Sequence, residues 1–429
     1  MRRDEGSHAV TGTTGAARMA AAGSLLDRAR FARAAEWLAV AVALSLPWST
    51  SATGILVALW LLALLPTLDL AALRRTIIIP AAAVPAALIA LAVLGMTWSG
   101  ASLADQYGSI KPFLRLLCIP LLFVQYRNSE RGMWVVGGFL ASCAALCVLS
   151  WFLWIWPALS PRAHPFAAIP FKDYIIQSSE FAICAFGMTH LAITAAREGR
   201  LGRALALALV ALVFLGNIVF VATGRSTLVV MAALLLVLAF QRFDWKGIAG
   251  VLVAGAMLAG VAWLSSSYLR ARVLAVAQEI QLYQTEHAET ASGYRLEFWK
   301  KSIRFIAAAP VLGHGTGTVR DLFQAAATGE GPSAAITNQP HNQTFLVAIQ
   351  LGLAGAALLF AMWISHLLLF RGGGLVAWLG TGVVVQNVVA CLFNSYLFEF
   401  TMGWIYIFGV GVLGGMMLRG RSSHGHPAP

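Results

Sequence analysis

Long apolar runs separated by short polar breaks organise this chain from about residue 35 to its end. A helix that crosses the hydrocarbon layer of a bilayer needs about 20 apolar residues. Runs of that kind fall at roughly 35–50, 52–68, 76–97, 109–125, 132–157, 174–196, 203–222, 225–241, 247–265, 342–369, 373–393 and 400–418, which predicts about twelve spans. The first two are short, and Pro47-Trp48-Ser49 between them suits a tight hairpin. The alternation is interrupted once. Residues 266–340 are rich in charge, His and Gly, and run through Pro340-His341 straight into the next apolar span. Apolar spacing inside this stretch predicts a helix over 268–287 and a second over 294–308, with Leu296, Trp299, Ile303 and Ile306 on one stripe and Glu297, Lys300, Lys301 and Arg304 elsewhere. Pro310 ends the second helix, and Gly313-His314-Gly315-Thr316-Gly317 reads as a flexible turn. A phosphate-cradling reading of these glycines lacks both the following Lys-Ser/Thr and a preceding strand. Polar intervals this long are uncommon unless functional, so the chemistry is expected here.

Composition sharpens the class. Apolar residues make up 59% of the chain and charged residues 11%, against roughly 45–50% and about 25% in soluble domains. The chain is therefore read as all-α and polytopic in a membrane. A net charge of +12 would suit nucleic acid, but the basic residues lie in short connections between apolar runs, so nucleic acid is not expected as a partner. Every second connection is basic: Arg74-Arg75, Arg127 and Arg131, Arg197 to Arg203, Arg242 and Lys246, Arg371, and both terminal segments. That alternation predicts cytoplasmic termini and an even number of spans. The boundaries follow: 1–33 a disordered basic tail, 34–265 helices one to nine, 266–340 the long outer loop, 341–419 helices ten to twelve, and 420–429 a cytoplasmic tail. The five cysteines all fall in apolar runs and read as small buried hydrophobes.

The alternate connections face outward: the loop from Asp105 to Lys111, residues 158–173, the Thr223-Gly224-Arg225 turn, 266–340 and the turn with Asn394 and Ser395. Arg225 and Lys172 thus lie on the side where the charge rule disfavours them. Arg225 sits at the outer mouth of a span, Arg295 at the start of a loop helix, and His341 where the loop re-enters the apolar region. Arginine forks match phosphate oxygens bidentately and stay charged, so two can hold a diphosphate and offset charge building on it. A histidine that titrates near neutrality suits deprotonation of an attacking hydroxyl. The alternative for all three is interfacial anchoring and helix capping. Arg115, one turn after Lys111, could reach lipid phosphate or snorkel. Glu180, inside the sixth run near Lys172, is an intramembrane acid, functional or part of a structural ion pair. His190, His366 and Asn217 read as local helix-packing groups. No Asp-x-Asp pair occurs, and the neighbourhood of Glu286, His287 and Glu289 reads as a solvated helix face, so no metal site is expected.

Four short motifs occur in order: Thr223-Gly224-Arg225-Ser226-Thr227 opening a span, Gly293-Tyr294-Arg295-Leu296-Glu297-Phe298-Trp299, Pro310-Val311-Leu312-Gly313-His314-Gly315, and His341-Asn342-Gln343-Thr344-Phe345-Leu346 followed by Gly352 and Gly355. Over about residues 220–360 this order resembles the O-antigen ligase family, within the superfamily that also holds O-antigen polymerases and bacterial O-linked oligosaccharyltransferases. The resemblance implies a metal-independent, inverting, GT-C-like glycosyltransferase without cofactor, acting in the periplasm at the inner membrane. Its donor would be an O-antigen glycan on undecaprenyl diphosphate and its acceptor a sugar hydroxyl of lipid A-core, with membrane lipids as surroundings. Arg225 and Arg295 would correspond to the family's essential arginines and His341 to its essential histidine, with Asn342 beside it in the same motif. Lys172 and Arg115 would assist donor binding. The family often has an acid after the eleventh span; here Asn394-Ser395 is followed by Glu399. A lipid-linked glycan transporter is the rival from another class, and transporters tend to carry paired repeats with broken helices at the midplane. The two halves of this sequence show no such repeat.

Overall fold

The computed structural model describes residues 11–163 and 166–423, with side chains from Asp27 to Arg421. In chain order the helices are α1 (Thr11–Ser45), α2 (Thr50–Leu64), α3 (Leu70–Ile77), α4 (Pro80–Leu94), α5 (Leu103–Leu114), α6 (Cys118–Arg127), α7 (Gly132–Ile155), α8 (Tyr174–Arg197) and α9 (Leu201–Phe220). They continue as α10 (Arg225–Arg242), α11 (Trp245–Ser265), α12 (Ser267–Glu286), α13 (Ala291–Ala308), α14 (Val319–Ala325), α15 (Gln343–Leu369), α16 (Leu375–Ala390) and α17 (Phe400–Ser423). Among the described residues all regular structure is helical, and the protein is a polytopic membrane protein.

Each of the twelve apolar runs falls on helix, yet fewer qualify as spans by length and composition. Nine helical stretches among the described residues are long and apolar enough to cross a membrane, and α3 with α4 makes a tenth if the pair is one span. That pair bends by 87°, because Pro80 opens α4 and holds Ile79 extended, interrupting the backbone ladder. α16 has only 16 residues, confined between Gly374 and the turn after Ala390. The first run is the end of α1. Residues 1–10 of the expected 1–33 tail lie outside the described residues, and from Thr11 the backbone is helix continuous with that run. Residues 424–429 of the other expected tail are likewise outside them.

α8 and α17 are the central helices, with 67% and 83% of their apolar windows buried, whereas α11 buries none of its window and stands at the periphery. α17 reaches α6 closely because it presents Gly411, Gly414 and Gly415. A Cβ at Gly411 would come within 2.5 Å of Leu122, and one at Gly415 within 2.8 Å of Tyr126. Small residues at such a crossing let two backbones pack without lipid between them. The five cysteines are buried and unpaired among these helices.

The polar stretch folds into α12, α13 and α14. α12 matches its expected limits, while α13 starts earlier because the Thr290 side chain accepts a bond from Gly293 N at 3.0 Å and caps it. The inward stripe of α13 also differs from the expected one. Phe298, Lys301 and Ser302 are buried and Ile303 is 58% exposed; Lys301 Nζ donates to Ser333 O at 2.6 Å.

The glycine-rich segment is no free turn. Gly313, Gly315 and Gly317 all have positive φ, and the segment lies in a break of α15. There Gly352 leaves the helix at φ 63 and ψ −163. His314 N and Gly315 N donate to the carbonyls of Ile349 and Gln350, Leu353 N to Pro310 O, and Thr316 N to Gly95 O, at 2.7–3.0 Å. Gly317 N donates to Gln350 Oε1 at 2.9 Å. These bonds satisfy the backbone groups that the break exposes, as an apolar setting demands. They also consume the N–H groups a phosphate cradle would need.

Candidate functional site

The mouth of the helix bundle beneath α12 and α13 gathers Arg225, Arg295 and His341. Arg225 is the first residue of α10, and its approach is set by Gly224, where a Cβ would meet Ser178 Oγ at 2.6 Å. Thr227 Oγ1 bonds Ser178 Oγ at 2.8 Å, and Thr223 Oγ1 donates to Ile218 O at 2.6 Å, so the Thr-Gly-Arg-Ser-Thr motif pins this helix end to α8 and α9. Arg295 lies in the second turn of α13, and no carboxylate among the described residues pairs with it. His341 precedes α15, with φ at 55. Positive φ is uncommon for a side chain larger than glycine and concentrates where a structure has a use for it.

The geometry selects the tautomer of the neutral imidazole. His341 Nδ1 lies 3.0 Å from Asn394 Oδ1. That atom of Asn394 is an oxygen, because the backbone N–H of Ser395 donates to it at 2.9 Å. Nδ1 therefore carries a proton and donates, so in the neutral ring Nε2 keeps its lone pair. The ring stacks on Phe298, with centroids 6.0 Å apart and planes 20° apart. Burial holds the imidazole below its ordinary value of 6.5; the Asn394 bond opposes this and the charge of Arg295 adds to it. The neutral base is thus favoured near neutral pH.

Asn394 belongs to the connection between α16 and α17, which joins two clusters. On one side Tyr396, also hydrogen-bonded to Asn394, reaches Ser226 at 3.3 Å and ties His341 to the Arg225 helix. Asn342, expected as a supporting site residue, caps α15 through Phe345 N at 3.1 Å and donates to Leu392 O at 3.1 Å. On the other side Arg115 Nη1 donates to Phe398 O at 3.5 Å and its guanidinium lies 5.3 Å from the Phe400 ring. Glu399 caps α17 by accepting from Met402 N at 2.7 Å. Lys172 Nζ donates to Leu46 O and, at 2.7 Å, to Thr401 Oγ1. Glu180 is buried, neither oxygen has a hydrogen-bond partner, and it feels the charges of Lys172 and Glu399. Arg115, Lys172, Glu180 and Glu399 thus gather around the start of α17, with no bond to His341, Arg225 or Arg295. Among the other polar residues, His366 bonds Tyr406 and Ala81 O, and Asn217 bonds Ser150 and Gln177, as packing groups do.

Two members of the site were missed in the sequence. Glu279 of α12 grips Arg225 with both carboxylate oxygens, one bond 2.9 Å, and also accepts from Ser292 N at 3.0 Å and Ser292 Oγ at 2.6 Å. The bond from Arg225 and those from Ser292 push its carboxyl down to about 2, against the cost of burial. Nothing in the spacing of α12 singles out Glu279, since its partner lies 54 residues away. Asn394 carries one signal, its place after the eleventh run, but it is an amide where the resemblance implies an acid, and Glu399 is the acid that follows it. Among the described residues no group of three His, Cys, Asp or Glu converges as metal ligands would.

Helices of the one polar loop thus cover the bundle of membrane helices, and arginines and a histidine meet at its mouth. Residues 210–360 match the family model described as O-antigen ligase, and over that segment the chain is similar to that family. The match takes in Arg225, Glu279, Arg295 and His341 and stops short of Asn394. No curated protein matches the chain.

Proposed function

We propose that this protein is an O-antigen ligase of a bacterial inner membrane, with both termini cytoplasmic and residues 266–340 periplasmic. It would transfer O-antigen from undecaprenyl diphosphate to a sugar hydroxyl of lipid A-core, with inversion and without a metal. The observation that carries the reading is His341, held with Nδ1 on Asn394 and Nε2 free, in the charge field of Arg295. In the proposed step Nε2 takes the acceptor hydroxyl proton, and the oxygen attacks the anomeric carbon from the face opposite the diphosphate. The bond from that carbon to the phosphate oxygen breaks, and the electron pair leaves with undecaprenyl diphosphate. Arg225 and Arg295 offset the charge gathering there. Glu279 occupies the Arg225 fork beforehand and yields it to the diphosphate. An apolar cavity of about 190 Å³ between α1, α7, α8, α16 and α17 supports placing the polyprenyl chain inside the bundle, since Leu46, the backbone partner of Lys172, lies in its wall.

The test uses purified protein, lipid-linked glycan and three acceptors: lipid A-core, a second lipid-linked glycan and a serine-containing peptide. Transfer to lipid A-core without ATP and in the presence of EDTA is expected. Transfer only to the lipid-linked glycan would make it a polymerase, transfer only to peptide a protein O-glycosyltransferase, and strict dependence on Mg²⁺ would overturn the role given to the arginines.

A further inference from the structure

The face opposite the long loop holds a polar cavity of about 350 Å³, separate from everything described above. It lies where α10 and α15 end and α16 begins, and its wall includes Arg242, Arg371, the glycines 372–374 and Trp378. No Asp or Glu lines it. The acids close by in sequence are otherwise engaged: Asp244 caps α11 through Gly247 N at 3.0 Å, and Glu198 pairs with Arg200 at 3.2 Å. Two arginines therefore face a cavity with no carboxylate to answer them, and Arg197, which donates to Arg242 O at 2.9 Å, adds a third positive charge.

One of the two is held in position. The Arg242 guanidinium donates to His190 Nδ1 and lies 5.1 Å from the centre of the Trp378 ring. Trp378 is itself fixed, stacked on Phe186 at 4.1 Å with Nε1 donating to Phe186 O at 3.0 Å. Neither contact neutralises the charge. The backbone contributes as well. Gly372 and Gly374 have φ of 130 and 92, and among the described residues no acceptor takes the N–H of Gly372, Gly373 or Gly374. Side chains are absent where the cavity needs open backbone, and Cβ atoms at these three positions would meet nothing. Successive free N–H groups beside two guanidiniums make an anion-binding concavity. Its position at the ends of apolar helices puts it at headgroup depth.

We propose that this cavity binds the phosphate headgroup of an anionic membrane phospholipid. Arg242 and Arg371 grip the phosphate oxygens, the glycine backbone donates to them, and the acyl chains lie along the apolar surface of α10 and α15. Basic pockets between membrane helices take such headgroups.

The full-length protein, reconstituted in phosphatidylcholine nanodiscs containing a minor share of phosphatidylglycerol, is released and its retained lipid read by native mass spectrometry. Wild type is expected to retain phosphatidylglycerol over phosphatidylcholine. Arg371→Gln, whose side chain has no other partner among the described residues, should weaken that preference, and Arg242→Gln with Arg371→Gln should lower it roughly tenfold or more. Lys246→Gln, a basic residue outside the cavity, should not change it. Equal retention in wild type and the double variant overturns the proposal, as does an equal loss in Lys246→Gln. If inorganic phosphate displaces the lipid as readily as short-chain phosphatidylglycerol does, the cavity is a free-anion site and the lipid assignment fails.

Discussion

Asn394 offers the sharpest test of the proposed base, because changing it alters one bond and leaves the histidine in place. In the native protein His341 is neutral at Nε2 and must stay so to accept a proton, so transfer is lost as pH falls through the imidazole's value in the folded protein. That value lies below 6.5, so at pH 7 more than about three-quarters of the sites are ready. Asn394→Asp keeps the shape and replaces a neutral acceptor, 3.0 Å away, by a carboxylate. An opposite charge at that range raises an imidazole by about 1 unit or more. The acid limb of the rate should move to higher pH by the same amount, and at a fixed pH on that limb the rate should fall about tenfold for each unit. Above the limb the variant should recover, because the neutral tautomer is still held. Asn394→Ala should act the other way. The Asn394 bond raises the imidazole's value, so its loss moves the limb slightly down, while the plateau falls because both tautomers are populated and only one has a free Nε2. The loss should stay inside the roughly 10²–10⁴-fold that removing a general base costs, the range expected of His341→Ala. The assay is transfer rate at saturating donor from pH 5 to 9. An Asp variant that is folded but keeps the native limb, or fails to recover at high pH, would refute the assignment of His341 as base.

Glu279→Gln removes the charge that holds Arg225 before the donor binds, a contact of the charge-assisted kind worth about 1.5–3 kcal/mol. Donor KM should fall several-fold with kcat little changed, and a rise in KM would mean Glu279 orients Arg225 in the bound state too. The same substitution should flatten the acid dependence of stability. A carboxyl held near 2 stabilises fully above its ordinary 4.5 and loses that contribution as pH falls towards 2. Arg225→Lys should impair transfer nearly as much as Arg225→Ala, since an ammonium keeps the charge and loses the fork; full activity in the lysine variant would reduce Arg225 to a point charge. Gly352→Ala should destabilise by about 1–3 kcal/mol or more, because φ is 63 there and a Cβ would collide with the Val311 carbonyl. An unchanged thermal midpoint would mean that the break in α15 is soft.

Spans were legible wherever apolar length alone decided them, and the two loop helices wherever spacing did. What escaped was structure made by contact between distant segments. Pro310 to Gly317 reads as punctuation along the chain because nothing near it shows that α15 will break at Gly352. The break makes sense only when the two are together. Backbone groups freed at Gln350 to Gly352 cannot remain unpaired in an apolar setting, and the inserted segment supplies their partners. The same limit explains Lys301, which looks like a surface charge on a helical wheel and is buried against Ser333 O.

The candidate site divides along the same line. Arg225, Arg295 and His341 stood out because each had an unusual residue type at a boundary, which a single sequence displays. Glu279 and Asn394 matter through what they touch, and their partners lie 54 and 53 residues away. The two omissions are complementary in kind. Asn394 sets the proton on the imidazole without adding charge, whereas Glu279 adds charge to a guanidinium and must release it for phosphate to bind. A carboxylate at position 394 would have favoured the imidazolium, and burial beside Arg295 works against that form. A neutral amide there is consistent with a base that stays free. The acid expected after the eleventh span is thus replaced by an amide at the histidine, while Glu399 caps α17 within the charge field of Arg115 and Lys172.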